Sequence, residues 1–124
     1  MLIKLDIHSA IPIYEQIKLA IIGKILKGEL KRDDVLPSIR ELASSLRVNP
    51  NTVVKAYKEL ELEGILIARQ GIGFLVNSER SKVKEGFLMG LKKELAGTIK
   101  SAKRNGVSLE ELMEVVFSIW NETK

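Results

Sequence analysis

The sequence contains no cysteine and only one histidine, His8, among its 124 residues. The absence of cysteine excludes a disulfide framework, a thiolate metal site and a cysteine nucleophile. A single histidine in the N-terminal segment cannot form the kind of histidine cluster that holds a transition metal, so we expect no metal site. A chain without cysteine also suits the reducing cytoplasm, which is where we expect the protein to act.

Long apolar runs are missing as well. No apolar stretch approaches the roughly 20 residues that cross a bilayer, and the opening MLIKLDIHSA lacks the basic start and apolar core of a signal peptide. We therefore expect no membrane partner. The net charge of +4 is too small to indicate nucleic acid by itself. Residues 1–80 carry 12 basic and 10 acidic side chains and residues 81–124 carry 8 and 6, so each part has a charge of +2.

The periodicity of the first two-thirds of the chain predicts three helices and a hairpin. Pro12 suits the first position of a helix whose apolar residues recur up to Leu26. Ser38 and Glu41 form a capping box at a second, short helix, and Asn49 caps a third. Two short strands, 65–68 and 74–76, flank a glycine-bearing loop. This order is typical of a winged helix-turn-helix, in which the third helix projects into the DNA major groove.

The third helix has two distinct faces. Val53, Ala56, Tyr57 and Leu60 fall on one side at about 100° per residue and are expected to pack on the body of the domain. Polar and basic residues of the kind that meet base edges and phosphates occupy the other side. For an isolated helix, an ordinary solvated face would be the better interpretation. Lys58 shares this outer side, and the surrounding helix-turn-helix pattern favours DNA contact by Asn51, Thr52 and Lys55.

Arg40 and the hairpin tip are further candidates for DNA contact. Arg40 lies in the first turn of the second helix, where the electropositive helix end disfavours a cation, and a phosphate or guanine partner would offset that cost. The alternative is a surface salt bridge with Glu41 or another acid. Arg69 and Gln70 lie beside Gly71, which allows close approach to a phosphate backbone. The alternative there is an ordinary hairpin turn.

The last third of the chain predicts two amphipathic helices after a polar segment, residues 77–81, that resembles a hinge. Asn105 and Gly106 separate the two helices, and Ser108 with Glu111 forms another capping box. A lone two-helix hairpin cannot bury enough apolar surface to be stable, so we expect it to pair with a second copy in a four-helix bundle. The predicted dimer contacts are Phe87, Leu88, Leu91, Leu95 and Ile99 in one helix and Leu112, Met113, Val116, Phe117 and Trp120 in the other.

Four sequence blocks together resemble one family. PIYEQI (12–17), LPSIRELA (36–43), VNPNTVVKAYKELELEGI (48–65) and RQGIGFLV (69–76) are similar to the GntR family of bacterial transcription regulators. The resemblance implies sequence-specific binding of a palindromic operator by a dimer, and the short tail resembles the YtrA subfamily. We expect the regulator to be a repressor. The segment Lys31-Arg32-Asp33-Asp34 departs from the family, which has a Pro-Gly-containing turn there. The candidate DNA-binding residues are Ser38, Arg40, Asn49, Asn51, Thr52, Lys55, Arg69, Gln70 and Gly71.

We therefore predict a mainly α protein with a small β-hairpin: a winged helix-turn-helix domain over 1–78 and a two-helix dimerisation region over 79–124. We expect a double-stranded DNA operator and a second copy as partners, no cofactor and no enzymatic activity. Three alternatives remain open. The third helix could pack on a protein partner, or the tail could bind a small-molecule effector through Phe87, Phe117 and Trp120. The chain could also be an enzyme, but the sequence has no arrangement of nucleophile, base or metal ligands that would support catalysis.

Overall fold

A computed structural model describes residues 1–123, and Lys124, the last residue of the predicted dimerisation region, lies outside the described residues. Within the described residues, five helices and two strands follow one another in the predicted order. They are α1 (Ile13–Leu26), α2 (Ile39–Leu46), α3 (Pro50–Leu62), β1 (Leu66–Arg69), β2 (Gly73–Val76), α4 (Arg80–Arg104) and α5 (Leu109–Glu122). The predicted fold class, mainly α with a small β-hairpin in a winged helix-turn-helix, is confirmed.

The helix ends follow from local chemistry. Both capping boxes are present, since the Ser38 hydroxyl accepts the Glu41 N–H and the Ser108 hydroxyl accepts the Glu111 N–H. Pro12 corrects the prediction by one position: it is the N-cap of α1 and not its first helical residue. Strand β1 begins and ends one residue later than predicted, and β2 begins one residue earlier. Arg69 pairs with Gly73, and this pair extends the hairpin toward its tip.

The core of the winged domain lies between α1, α2 and α3 and is closed by the hairpin. Its fully buried residues include one side of α1 and the whole predicted inner side of α3. The predicted inward residues Val53, Ala56, Tyr57 and Leu60 are all buried. Burial of this stripe leaves the opposite side of α3 for solvent or for a ligand.

The charged segment before α2 is not a simple loop. Residues 33–36 lie along the free edge of β2, where the Asp33 N–H donates to the Val76 carbonyl at 2.8 Å and the Leu36 N–H donates to the Phe74 carbonyl at 2.9 Å. Asp33 adopts a left-handed conformation with φ of 74°, which aspartate tolerates better than most residues. The departure from the family's Pro-Gly turn is therefore compatible with an ordered connection.

The segment predicted as a hinge is bonded to the winged domain. The Asn77 N–H donates to the Ile65 carbonyl at 2.8 Å, and the Ser78 hydroxyl donates to the Gly64 carbonyl at 2.7 Å. Helix α4 begins at Arg80, inside the predicted hinge, and its Val83 is buried in the core. By its contacts the chain divides into two compact units between Glu85 and Gly86, whereas the predicted boundary lay between residues 78 and 79.

The second unit, from Gly86 onward, consists of the remainder of α4 and α5. The two helices do not pack along each other, and α5 buries none of its residues. All ten predicted dimer contacts except half-buried Leu112 are exposed. A single copy of the described chain thus leaves the apolar faces of both helices in contact with water.

Candidate DNA-binding surface

Helix α3 presents its predicted polar side to solvent. Asn51, Lys55 and Lys58 are exposed, and Thr52 is half-buried near the start of the helix. The helix begins with Asn49 as its N-cap and Pro50 in its first turn. The first turn of α3 therefore offers side chains of the size and polarity that reach base edges in a major groove.

Two of the predicted DNA-binding residues act as helix caps in the structure. The Ser38 hydroxyl accepts the Glu41 N–H at 3.1 Å, and the Asn49 side-chain oxygen accepts the Asn51 N–H at 2.8 Å. The backbone N–H of Ser38, and then its hydroxyl, bond to the Glu41 carboxylate and lower its pKa. The Asn49 cap uses only the side-chain oxygen, so the amide NH₂ of this exposed residue keeps its two donors for another partner.

Arg40 is the second residue of α2 and is exposed. Within residues 1–123 no carboxylate lies within salt-bridge distance of its guanidinium, so the predicted alternative of a salt bridge with Glu41 is not present. A guanidinium at an electropositive helix end without an acidic partner is well suited to an anion or to the acceptor edge of guanine.

Aromatic rings lie beneath two lysines of α3. The ammonium of Lys55 lies 4.0 Å from the centre of the Tyr14 ring, and that of Lys58 lies 5.8 Å from the centre of the Phe74 ring. Lys58 also approaches Glu61 at 3.5 Å. Local residue spacing gives no signal for this contact between Tyr14 of α1 and Lys55 of α3. A lysine held on a ring face keeps its N–H donors available to a phosphate.

The hairpin forms a short wing. Its strands pair antiparallel, with Leu66 opposite Val76 and Arg69 opposite Gly73. Gly71 has a φ of +81°, a left-handed conformation that favours glycine, and the Ile72 N–H donates back to the Arg69 carbonyl at 3.0 Å. The three predicted contacts at the tip are exposed: Arg69, Gln70 and Gly71.

Tyr57 connects the inner side of α3 to the start of α2 and to the wing. Its hydroxyl donates to the Pro37 carbonyl at 2.7 Å, and its ring meets the Phe74 ring edge-on at 5.1 Å. Burial, and then the negative charge of Glu41, raise the pKa of Tyr57 far above its usual 10.0. The phenol therefore stays protonated and acts as a hydrogen-bond donor.

A buried lysine of α1 pairs with two partly exposed glutamates at the C-terminal end of α3. The ammonium of Lys18 lies 2.9 Å from Glu63 and 3.0 Å from Glu59. Burial lowers the pKa of Lys18, but the bonds to Glu63 and Glu59 outweigh that effect and leave the pKa above its usual value. Residue spacing gives no signal for this contact, since the partners are more than 40 residues apart.

The tail carries an apolar groove of about 440 Å³ along α4. Leu88, Leu91, Leu95 and Ile99 line it, together with Ala96 and the stems of Lys92 and Lys100. The three aromatic residues considered for an effector pocket, Phe87, Phe117 and Trp120, are not among its lining residues.

Two other kinds of site are absent from the part of the chain that the structure describes. Residues 1–123 contain no cluster of three or more His, Cys, Asp or Glu side chains that could hold a metal. No described helix is both long enough and apolar enough to pass through a bilayer.

Comparisons with known proteins give matches to the winged domain and to the whole chain. The family described as "Bacterial regulatory proteins, gntR family" matches residues 13–76. The HTH-type transcriptional repressor YtrA of Bacillus subtilis (strain 168) is 42% identical over 124 residues, which covers 99% of this chain and 95% of that protein.

Solved structures extend the likeness to the fold. A crystal structure titled as a transcriptional antiterminator from Listeria monocytogenes EGD-e is 33% identical, covers 96% of this chain and 90% of its own, and has a TM-score of 0.75. The DNA-binding domain of AraR in complex with operator ORR3 is 29% identical, covers 61% of this chain and 94% of its own, and has a TM-score of 0.50.

Proposed function

Because the chain belongs to the GntR family of bacterial transcription regulators, we propose that it represses transcription by binding a palindromic operator as a homodimer in the cytoplasm. The family consists of regulators with a DNA-binding domain and not of enzymes, as the sequence predicted. The observation that carries the proposal is the unpaired, exposed Arg40 beside the polar first turn of α3.

The proposed contacts divide into base readout and phosphate binding. Arg40 would donate in a bidentate manner to the O6 and N7 atoms of a guanine, while Asn51 and Thr52 meet neighbouring base edges. Lys55 would bind phosphate, because its ammonium is a flexible point charge. The exposed wing tip at Arg69 and Gln70 would contact the backbone or the minor groove beside the major groove that holds α3.

Relatives support this assignment through what their names state. The Bacillus subtilis relative is named a transcriptional repressor, and the AraR domain was solved bound to an operator. Both are similar to this chain in the domain that carries Arg40 and α3. We extend repression and operator binding from those proteins to this chain.

The proposed dimer rests first on the width of the apolar face of α5. At about 100° per residue, its apolar side chains span about 200° of the helix circumference. One packed neighbour covers a stripe of roughly half that width. Helix α5 does not pack along α4 in one copy. Trp120 and Phe117 are 76% and 58% exposed to solvent, which is unfavourable for large apolar groups. A second copy of the chain would bury them.

The charges of the two tail helices also favour pairing between copies. From Gly86 to Arg104, α4 carries five basic and one acidic side chains, a net charge of +4. Helix α5 carries four glutamates and no basic residue, a net charge of −4. Because opposite charges attract across an interface, α5 of one copy would lie against α4 of the other, with its apolar side in the groove flanked by Lys92 and Lys100.

Dimerisation would set the geometry of operator binding. Two tethered winged domains engage two half-sites about one helical turn, roughly 34 Å, apart. Once one domain has bound, the second binds at a raised effective concentration. A palindromic operator follows from the two-fold symmetry of such a dimer.

The proposal is tested by operator binding of Arg40→Ala and Thr52→Ala. Each lost base contact should cost about 1–3 kcal/mol per half-site while the fold remains intact. A matched control is Lys27→Ala, which removes an exposed positive charge at the C-cap of α1. The control should bind almost as the original chain does. Unchanged operator affinity in both test variants would show that this surface does not read DNA.

A further inference from the structure

Tyr57 lies on the inner side of α3, the recognition helix of the proposed function, and faces away from the proposed DNA-binding surface. It is completely buried, and its ring packs edge-on against Phe74 of the wing. Packing of this kind needs only an aromatic ring, which phenylalanine would supply equally well. The hydroxyl, however, makes a specific bond at 2.7 Å to the Pro37 carbonyl, 20 residues earlier in the chain.

Pro37 is the residue directly before the N-cap of α2. Ser38 follows it as the cap, and Arg40 is the third residue after it. One residue before Pro37, the Leu36 N–H donates to the Phe74 carbonyl of β2. The start of α2 is thus attached at two successive residues, to the wing by Leu36 and to the recognition helix by Pro37. The Tyr57 hydroxyl makes the second of these attachments.

We infer that Tyr57 is a positioning residue for operator binding, because its hydroxyl fixes the start of α2, and with it Arg40, relative to the polar side of α3. This inference rests on the proposed function, in which Arg40 reads a base. A bidentate contact to guanine requires the guanidinium plane to meet two acceptors at once. Arg40 and Asn51 can contact their bases on one operator at the same time only if α2 and α3 keep a fixed spacing. Tyr57 supplies that spacing without touching DNA.

The variant Tyr57→Phe removes the hydroxyl and keeps the ring. We expect it to stay folded and dimeric, to lose about 10-fold in operator affinity, and to keep its affinity for random duplex. A matched control, Leu60→Val, trims the same buried side of α3 one turn further along and leaves the Pro37 bond in place. The control should reduce thermal stability while operator affinity is preserved.

A double-mutant cycle with Arg40→Ala separates positioning from a general structural role. If Tyr57 acts through Arg40, adding Tyr57→Phe to Arg40→Ala should cause no further loss of operator affinity. An equal loss in both backgrounds, unchanged operator affinity in Tyr57→Phe, or failure of that variant to fold would each overturn the inference. If Arg40→Ala alone binds the operator normally, the proposed base contact of Arg40 is wrong. The single variant shows this result independently of the Tyr57→Phe variants.

Discussion

The ammonium of Lys55 lies 4.0 Å from the centre of the Tyr14 ring, so a side chain of the recognition helix rests on the first helix of the domain. A cation over the face of an aromatic ring gains about 0.5–1 kcal/mol at an exposed site. The ring also restricts a side chain that would otherwise lose rotamer freedom when it binds phosphate. We therefore expect Tyr14 to prepare Lys55 for its proposed contact with the DNA backbone.

Tyr14→Leu should weaken DNA binding by about 2- to 5-fold per half-site, the equivalent of one exposed cation–π contact. Operator and random duplex should be affected alike, because Lys55 is proposed to bind phosphate, which carries no sequence information. Fluorescence anisotropy with both duplexes measures this. Binding that stays the same or becomes tighter in Tyr14→Leu would show that the ring does not prepare Lys55.

Lys18→Met should lower the free energy of unfolding by about 1–3 kcal/mol, since it leaves Glu59 and Glu63 without their cation. The partial exposure of both carboxylates keeps the cost below that of a fully buried pair. Urea denaturation followed by circular dichroism measures the change. Lys24→Met, which removes a more exposed pair with Glu29, is the matched control and should cost less.

The same ion pair predicts a pH dependence. Because the folded state raises the pKa of Lys18 above 10.5, its stabilising contribution is complete below about pH 10.5 and is lost as the pH rises through the higher folded-state value. The stability difference between the original chain and Lys18→Met should therefore shrink in strongly alkaline solution. A difference that stays constant from pH 8 to about pH 12 would contradict the assignment.

The charge pattern of the tail predicts a reversal experiment. Lys92→Glu with Lys100→Glu places negative charges beside the groove of α4 and should weaken the dimer, because α5 carries only acidic charges. Adding Glu110→Lys and Glu114→Lys should restore part of the dimer affinity. Sedimentation equilibrium measures both. If the second pair of substitutions restores nothing, the acidic side of α5 does not face this side of α4.

A chain that ends at Glu85 should keep a folded winged domain but become monomeric. The end point follows from Val83, which is buried in the core of that domain and would be lost by a cut at the predicted hinge. Loss of tethering should reduce operator affinity by about 10²- to 10⁴-fold. A truncated chain that binds as tightly as the full chain would refute the role of the tail.

The local features of this protein could be predicted from its sequence. Both capping boxes, the Asn49 cap and the inner side of α3 depend on residues within four positions of one another, and each appears in the structure as expected. The dimer residues named in α5 did not include Val115 and Ile119, which widen its apolar face.

The features that sequence did not reveal join distant segments. Tyr57 with Pro37, Lys55 with Tyr14, and Lys18 with its two glutamates depend on how the helices cross, which periodicity does not determine. The pairing of residues 33–36 with β2 was missed for the same reason: a charged sequence gave no strand signal, and tertiary hydrogen bonds order it.

The most direct test of the central claim is a comparison of affinities for two duplexes at physiological salt. One is the palindrome enriched by the full chain from a random library, and the other is a shuffled duplex of equal length. We predict that one dimer binds the enriched duplex at least about 10³-fold more tightly than the shuffled one. Equal affinity for the two duplexes would contradict the claim that this protein is a sequence-specific regulator.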